Sequence, residues 1–461
     1  MPPQWKAYWR GVSSVAREMA DYLDRVGARI RWPRARTYLL KELSGHLEDQ
    51  RAALEAAGVP PEEAERRAVA DMGDPEPVGD ELNALHRPAR SLAPAVFALA
   101  VSLAGAAVIP ALTGGSPLRY WAGLLGGLAA MALLRLVDLG ALARRMGKWT
   151  IPLAAALPFL LMALTYAAPR LSTGAAPTWL LYPSLFLPLL FALVLLPLRG
   201  THGGWLCALT PLMFLLAAPA GLVPSFTTAL FLGGTMLLTA SAAVMAGWFR
   251  GKPWVGLVSL WAPTALCTAW AVQFLLFSYR MRSFFHPELD PNGHGWQTLL
   301  IRNLLWEGSA EAAEVYNASF LYQDPGYTLL TLSAQLGRPV MLAALAGILL
   351  FAGLCLWRIR KLRSTTGKLL ALSLFLPLFF QAGACWLQNA ALFPFGSALP
   401  LPFFSYGPTS MVVDFALLGL LLSVFRMDPL QRDGPSLPLP QLFPRLLESL
   451  LCPEDEEEEP F

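Results

Sequence analysis

The sequence predicts an all-α integral membrane protein: ten transmembrane helices preceded by a small cytoplasmic helical domain. Three observations predict it. Ten apolar stretches, each near the roughly 20 residues that cross a bilayer, run from Leu92 to Arg426. The composition is 55% hydrophobic and 15% charged. Lys and Arg in the short connections alternate between a basic and a nearly uncharged side, as multi-pass topology requires.

The first ninety residues read as a soluble helical module. Trp5, Tyr8, Trp9, Val12, Val15, Met19, Tyr22, Leu23, Val26 and Ile30 recur at helical spacing. Residues 1–36 hold eight Lys/Arg against three Asp/Glu, so this helix either packs its aromatic stripe on the module or lies on an anionic membrane surface. A second helix is expected from Thr37 to Ala57, stopped by Gly58. A third starts at Pro60-Pro61-Glu62-Glu63 and ends near Gly73; a fourth covers Val78 to Leu85. Tyr38-Leu39-Leu40-Lys41-Glu42-Leu43, His46-Leu47-Glu48-Asp49 and Ala68 through Met72-Gly73-Asp74-Pro75 resemble the permease-prefix (HAAS) domain found ahead of bacterial membrane proteins. That resemblance implies docking or regulation. The expected domains are therefore a prefix at 1–91, a membrane domain at 92–428 and an acidic cytoplasmic tail at 429–461.

The spans fall at 93–113, 118–138, 149–168, 178–197, 203–222, 225–247, 254–278, 338–357, 368–391 and 408–426. One side carries Arg144, Arg145, Lys148, Arg199, Arg250, Lys252, Arg358, Arg360, Lys361, Arg363 and Lys368; the other, in its short loops, only Arg119 and Arg170. Both termini are thus expected in the cytoplasm, in a bacterial plasma membrane, with the long 279–337 loop outside. No apolar run precedes a cleavage site at the start, so no signal peptide is expected. Cys207, Cys267, Cys355 and Cys385 lie within spans, where Cys acts as a small hydrophobe, and no Cys shows metal-ligand spacing. There is no phosphate-cradling glycine loop and no nucleic-acid module. The run Glu454–Glu459 reads as a solvated tail.

Function concentrates in the long loop and the last segment. The loop opens Tyr279-Arg280-Met281-Arg282, continues through Asp290-Pro291-Asn292-Gly293 and reaches Gly295-Trp296-Gln297. Before the last span comes Leu399-Pro400-Leu401-Pro402-Phe403-Phe404-Ser405-Tyr406-Gly407. These segments resemble the SEDS family of FtsW, RodA and SpoVE, with its Asp-Pro turn, its Gly-Tyr-Gln and its Ser-Tyr-Gly before the last helix. Asp138, Trp179, Leu336-Gly337 and Gln381 extend the likeness over 93–428.

The resemblance implies peptidoglycan synthesis in cell division or cell shape. Lipid II, or another undecaprenyl-linked precursor, would be polymerised by glycosyl transfer outside the membrane, beside a class B penicillin-binding protein. A carboxylate must take the acceptor hydroxyl's proton, and cations must stabilise the leaving diphosphate. The position of the family's essential Asp, eleven before Gly337, is Gly326 here; the nearest carboxylate is Asp324, the catalytic candidate. The substrate-binding candidates are Arg280, Arg282, Asp290, Gln297, Arg302, Ser405, Tyr406 and Asp414. A divalent cation beside the diphosphate is compatible with this chemistry, but the sequence identifies no ligands for it.

The chain also departs from the family. Span four, charged in the family, reads Leu187-Pro188-Leu189-Leu190-Phe191, and Pro408-Thr409 replaces Gly-Ser. Three readings follow: a polymerase using Asp324; an inactive relative that binds precursor or a penicillin-binding protein and regulates; and a lipid flippase, suggested by ten spans alone. Asp414, where the family usually has Asn, is a carboxylate at membrane depth and a functional candidate; otherwise it is protonated, or partnered by Ser410 and Tyr406. Gln388 and Asn389 line a cavity or bond between helices.

Overall fold

The computed structural model describes residues 17–87, 92–146, 149–171, 181–222, 226–276, 279–319, 321, 324–393, 399–404 and 406–428. The chain forms two compact units, one of residues 1–90 with a short segment from the C-terminal end, the other a helical membrane unit beginning at Ser91.

The first unit holds α1 (Arg17–Arg29), α2 (Pro33–Ala56), α3 (Pro61–Asp71) and α4 (Pro75–Leu85). Proline opens three of these four helices, because its fixed φ suits a first turn and its missing N–H would be unpaired there anyway. The same effect moves two expected boundaries. The second helix starts at Pro33 rather than Thr37, and the fourth at Pro75 rather than Val78. Met19, Tyr22, Leu23, Val26 and Ile30 are buried, so the described half of the aromatic–aliphatic stripe packs inside the module. Its other half, Trp5 to Val15, lies outside the described residues. At Gly79 an added Cβ would sit 2.9 Å from the Val26 carbonyl oxygen, a closeness that lets α4 lie against α1.

The second unit runs through α5 (Ala93–Thr113), α6 (Pro117–Leu134), α7 (Leu139–Met146), α8 (Thr150–Leu171), α9 (Leu181–Ser184), α10 (Leu187–Leu195), a 3-10 turn at Gly203–Ala208 leading into α11 (Leu209–Leu222), α12 (Phe226–Met245) and α13 (Pro253–Leu276). The C-terminal helices are α18 (Pro339–Arg360), α19 (Thr365–Asn389) and α20 (Pro408–Met427). Seven described helical segments are long and apolar enough to cross a membrane. The other three expected spans are helical too, at α8, at the broken pair α9–α10 and at α13. The only β-pairing among the described residues is an isolated bridge between His202 and Arg250.

The bundle is layered around α19 and α20, the most enclosed of the seven; the outer α5, α6 and α18 present large apolar side chains instead. α12 and α10 pack against α19, and α11 against α8 and α12. α6 meets α20 through glycine. A Cβ at Gly123 would lie 2.7 Å from the Pro408 Cα, and one at Gly127 2.7 Å from the Phe415 ring. Small residues four apart bring two backbones close enough for dispersion to hold helices that water does not push together.

The 279–337 segment is not an extended polar loop. It folds into α14 (Tyr279–Phe285), a 3-10 turn at Pro287–Leu289, α15 (Trp296–Arg302), a π turn at Asn303–Glu307, α16 (Ala310–Ala318), a 3-10 turn at Pro325–Tyr327 and α17 (Thr328–Leu336). Leu300, Ile301, Leu304, Leu305, Tyr316, Tyr327 and Leu330 give this cap an apolar core of its own. The apolar residues are spread over several short helices, so no single stretch reads as hydrophobic.

Candidate functional site

α19 carries Gln381, Cys385, Gln388 and Asn389, spaced so that one face of the helix holds all four. Asn389 is fully buried and fixes the cap to the bundle. Its Oδ1 accepts the Leu330 N–H at 2.8 Å, and its Nδ2 donates to the carbonyls of Gly326 and Cys385, each at 2.8 Å. The Gly326 turn, eleven residues before Gly337, is therefore tied to α19.

Asp324 is the N-cap of that turn. Its Oδ1 accepts the Gly326 N–H at 2.8 Å, so the carboxylate reaches forward over the position two residues later. The Asp324 residue is exposed. Beside it Tyr327 is buried, hydrogen-bonded to Gln297 and to Gln388. Burial pushes the Tyr327 phenol well above its ordinary value; the Gln388 bond opposes this, and the Asp324 charge adds to it. Tyr327 is thus a neutral phenol near a carboxylate, its oxygen accepting from the Gln297 amide.

Tyr182 of α9 is the second aromatic that sequence reasoning missed. It faces Ser410 and lies within electrostatic reach of both Asp414 and Asp324. Asp414 itself is fully buried in α20, where the Gln381 side chain and the Phe403 backbone N–H face it. The structure thus groups Asp324, Gln297, Tyr327, Gln388 and Tyr182 along one polar line, with Asp414 at its buried end.

The remaining candidates lie elsewhere or do local work. Asp290 closes its own turn, accepting the His294 N–H at 2.9 Å. Arg302 donates to the Phe284 carbonyl at 3.5 Å and sits over the Phe284 ring. Arg282 is exposed. Arg280 lies in α14, with its side chain outside the described set, as is the whole of Ser405. Tyr406 latches the last segment to the α5–α6 turn: its hydroxyl accepts the Ser116 N–H at 2.6 Å and donates to the Ser116 carbonyl at 3.3 Å. Trp179 also lies outside the described residues. Among those described, no group of three or more His, Cys, Asp and Glu could hold a metal ion.

α10, in the fourth span, is buried from Leu187 to Leu195 and carries no polar side chain.

Comparison with known proteins agrees with this architecture. The family model described as cell cycle protein, FtsW/RodA/SpoVE, matches residues 335–428. A chain from a solved peptidoglycan synthase complex that coordinates polymerisation and crosslinking is 22% identical, with a TM-score of 0.54, over 74% of this chain and 98% of that one. The rod-shape-determining protein RodA of Thermus thermophilus is 20% identical, with a TM-score of 0.46, over 73% of this chain and 97% of that one. None of the curated proteins matches. The family match covers α18 to α20 and the Ser-Tyr-Gly segment, and the fold is shared with the synthase chain.

Proposed function

We propose that this protein takes part in building peptidoglycan, as a membrane glycosyltransferase that polymerises lipid II, with Asp324 as the general base. One observation carries the reading. The Asp324 carboxylate reaches over the Gly326 turn, and the turn is pinned to α19 by Asn389. This contact supports the reading that a carboxylate displaced by two residues in sequence still serves as the base. The hydrogen bond to Gly326 uses only part of its accepting capacity, since an ionised carboxylate offers about four lone-pair sites over its two oxygens. Held this way, it takes the proton of a sugar hydroxyl as the glycosidic bond forms.

The leaving diphosphate needs cations. Arg282 is exposed on the first helix of the cap and fits that role; Arg302 is already engaged with Phe284. In this reading the cap faces outward and both termini lie in the cytoplasm, following the Lys/Arg bias. A class B penicillin-binding protein crosslinks the product, by analogy with the synthase complex that shares the fold. The prefix module docks or regulates and does no chemistry.

The apolar α10 favours a second reading, in which the fold is kept, the chemistry is lost, and the protein holds the precursor or its partner. Lipid II polymerisation by purified protein, with and without a class B penicillin-binding protein, separates the two. Glycan strands from wild type and none from Asp324→Ala support the first. Lipid II binding without strands under either condition supports the second. Undiminished synthesis by Asp324→Ala rules out this base.

A further inference from the structure

α5, α18, α19 and the 399–404 segment border an apolar groove of about 240 Å3, and no polar side chain lines it. Leu329 of α17 closes its cap end. The groove opens sideways between α5 and α18. Ala104 and Ala343 on its rim are exposed, and Leu103 and Leu342 beside them are 45% and 69% exposed. Large apolar side chains left outside on both helices mark a face that bilayer hydrocarbon covers. Along α18 the groove runs from Val340 to Phe351. At 1.5 Å per residue that is ~17 Å, close to half of a roughly 30 Å hydrocarbon core.

The wall of the groove is fixed before anything enters it. Phe403 holds φ at +64°, in the left-handed region that bulky residues avoid, and its carbonyl accepts the Ser102 hydroxyl at 2.6 Å. Its ring packs on Phe351 with centroids 5.6 Å apart, and Phe351 packs on Phe97 at 5.8 Å. Strain of this kind persists where the surroundings over-determine it, and it concentrates at ligand clamps. Gly347 keeps the groove open: an added Cβ there would meet only the Phe97 Cζ, at 3.7 Å. A cation stands at the cap end. Arg338, two residues before Val340, is exposed and gives Nη2 to the Trp306 carbonyl at 2.7 Å. A guanidinium has five N–H donors in all, so others remain for an anion.

We propose that this groove binds an anionic glycerophospholipid from the leaflet on the side of the cap, with one acyl chain in the groove and the phosphate paired with Arg338. Three features select this occupant. The groove is as deep as one leaflet, so it takes the length of a single acyl chain. Its walls offer nothing to a polar group. Its cap end carries a cation at the level of the headgroups, where an Arg pairs well with a phosphate. This lipid is a companion of the membrane unit and not a reactant. The nine-residue α17 separates Arg338 from the Gly326 turn by ~12 Å, whereas reacting atoms must approach to about 3–3.5 Å. Its occupancy staples α5 to α18 beneath the cap. The assignment is independent of the polymerase reading.

The test is photolabelling of the full-length protein in detergent with two probes, phosphatidylglycerol and phosphatidylcholine, each carrying a diazirine in one acyl chain. Labelled peptides are mapped by mass spectrometry. The phosphatidylglycerol probe is expected to label residues 97–104 and 340–351 more strongly than the phosphatidylcholine probe, and unlabelled phosphatidylglycerol should displace it. Gly347→Leu fills the groove and should lose the label. Gly353→Leu, on an exposed part of the same helix outside the groove, should keep it. Arg338→Gln leaves the groove and removes the charge, so the two probes should label it equally. Label that persists in Gly347→Leu overturns the proposal. So does equal labelling of wild type by both probes, which would reduce the groove to contact with any bilayer lipid. Label displaced by undecaprenyl diphosphate but not by phosphatidylglycerol also overturns it, and would assign the groove to the substrate's chain. If Gly347→Leu does not fold, the probe preference of wild type against Arg338→Gln decides.

Discussion

At the scale of single residues, Asn389 does more for the site than any charged group. It satisfies a buried N–H at Leu330 and a carbonyl at Gly326, and a buried donor left unpaired costs roughly 1–3 kcal/mol. Asn389→Ala is therefore expected to destabilise the protein by about that amount and to speed hydrogen exchange at the Leu330 amide. Unchanged exchange there would mean that the cap is held by other contacts. Glu65, in the N-terminal module, makes the second residue-scale case. It is buried, accepts the Met19 N–H at 2.9 Å, and burial raises its pKa above the ordinary carboxylate value, with the nearby Glu18 charge adding to the rise. A raised folded pKa means that the folded state holds the proton more tightly than the unfolded chain. The associated stability is full below the unfolded value and is lost as pH rises through the folded one. Amide exchange across α1–α3 should therefore quicken over that window in wild type, and Glu65→Gln should flatten the dependence. An equal dependence in the variant would trace it to another group.

At the scale of elements, the contact between α6 and α20 depends on the missing side chains of Gly123 and Gly127. A Cβ at either would lie 2.7 Å from an atom of the facing helix, closer than carbon atoms pack. Gly126 is different: a Cβ there would meet only the tip of Val412 at 3.2 Å, which a small side-chain shift absorbs. Gly123→Val and Gly127→Val are expected to lower the thermal midpoint in detergent well below wild type, while Gly126→Ala stays close to it. Equal tolerance at all three positions would mean that α20 does not need this close approach. The Tyr406 latch onto Ser116 belongs to the same contact, because it fixes the turn between α5 and α6 beside the entry to α20.

At the scale of the whole molecule, the consequential expectation is topology. Eleven Lys and Arg residues on one side of the short connections, against two on the other, lead us to expect the 279–337 cap outside. In a cysteine-free background, a single cysteine at exposed Glu311 should react with a membrane-impermeant maleimide in intact cells, and one at exposed Glu48 should react only after lysis. The reverse pattern would invert the molecule and remove the proposed access to lipid II from the outer side.

The sequence by itself determined the helical membrane class, the positions of the long apolar helices and the family likeness. Those features are local: they depend on runs of apolar residues, on the side to which each Lys or Arg is confined, and on short motifs such as Ser-Tyr-Gly. The four helices of the N-terminal module were legible for the same reason, with proline shifting two starts. The folded cap was not, since its core is assembled from residues scattered between Leu300 and Leu330. Nor were Tyr327 and Tyr182, which read as ordinary aromatics until the cap and α9 bring them beside Asp324 and Asp414. Only the tertiary structure decided that Asp324 reaches over Gly326, and that Asp414 faces the Gln381 side chain and the Phe403 N–H instead of solvent. Hydrogen-bond partners far apart in sequence are chosen by packing, and no local pattern of residue types encodes which buried donor will face which acceptor.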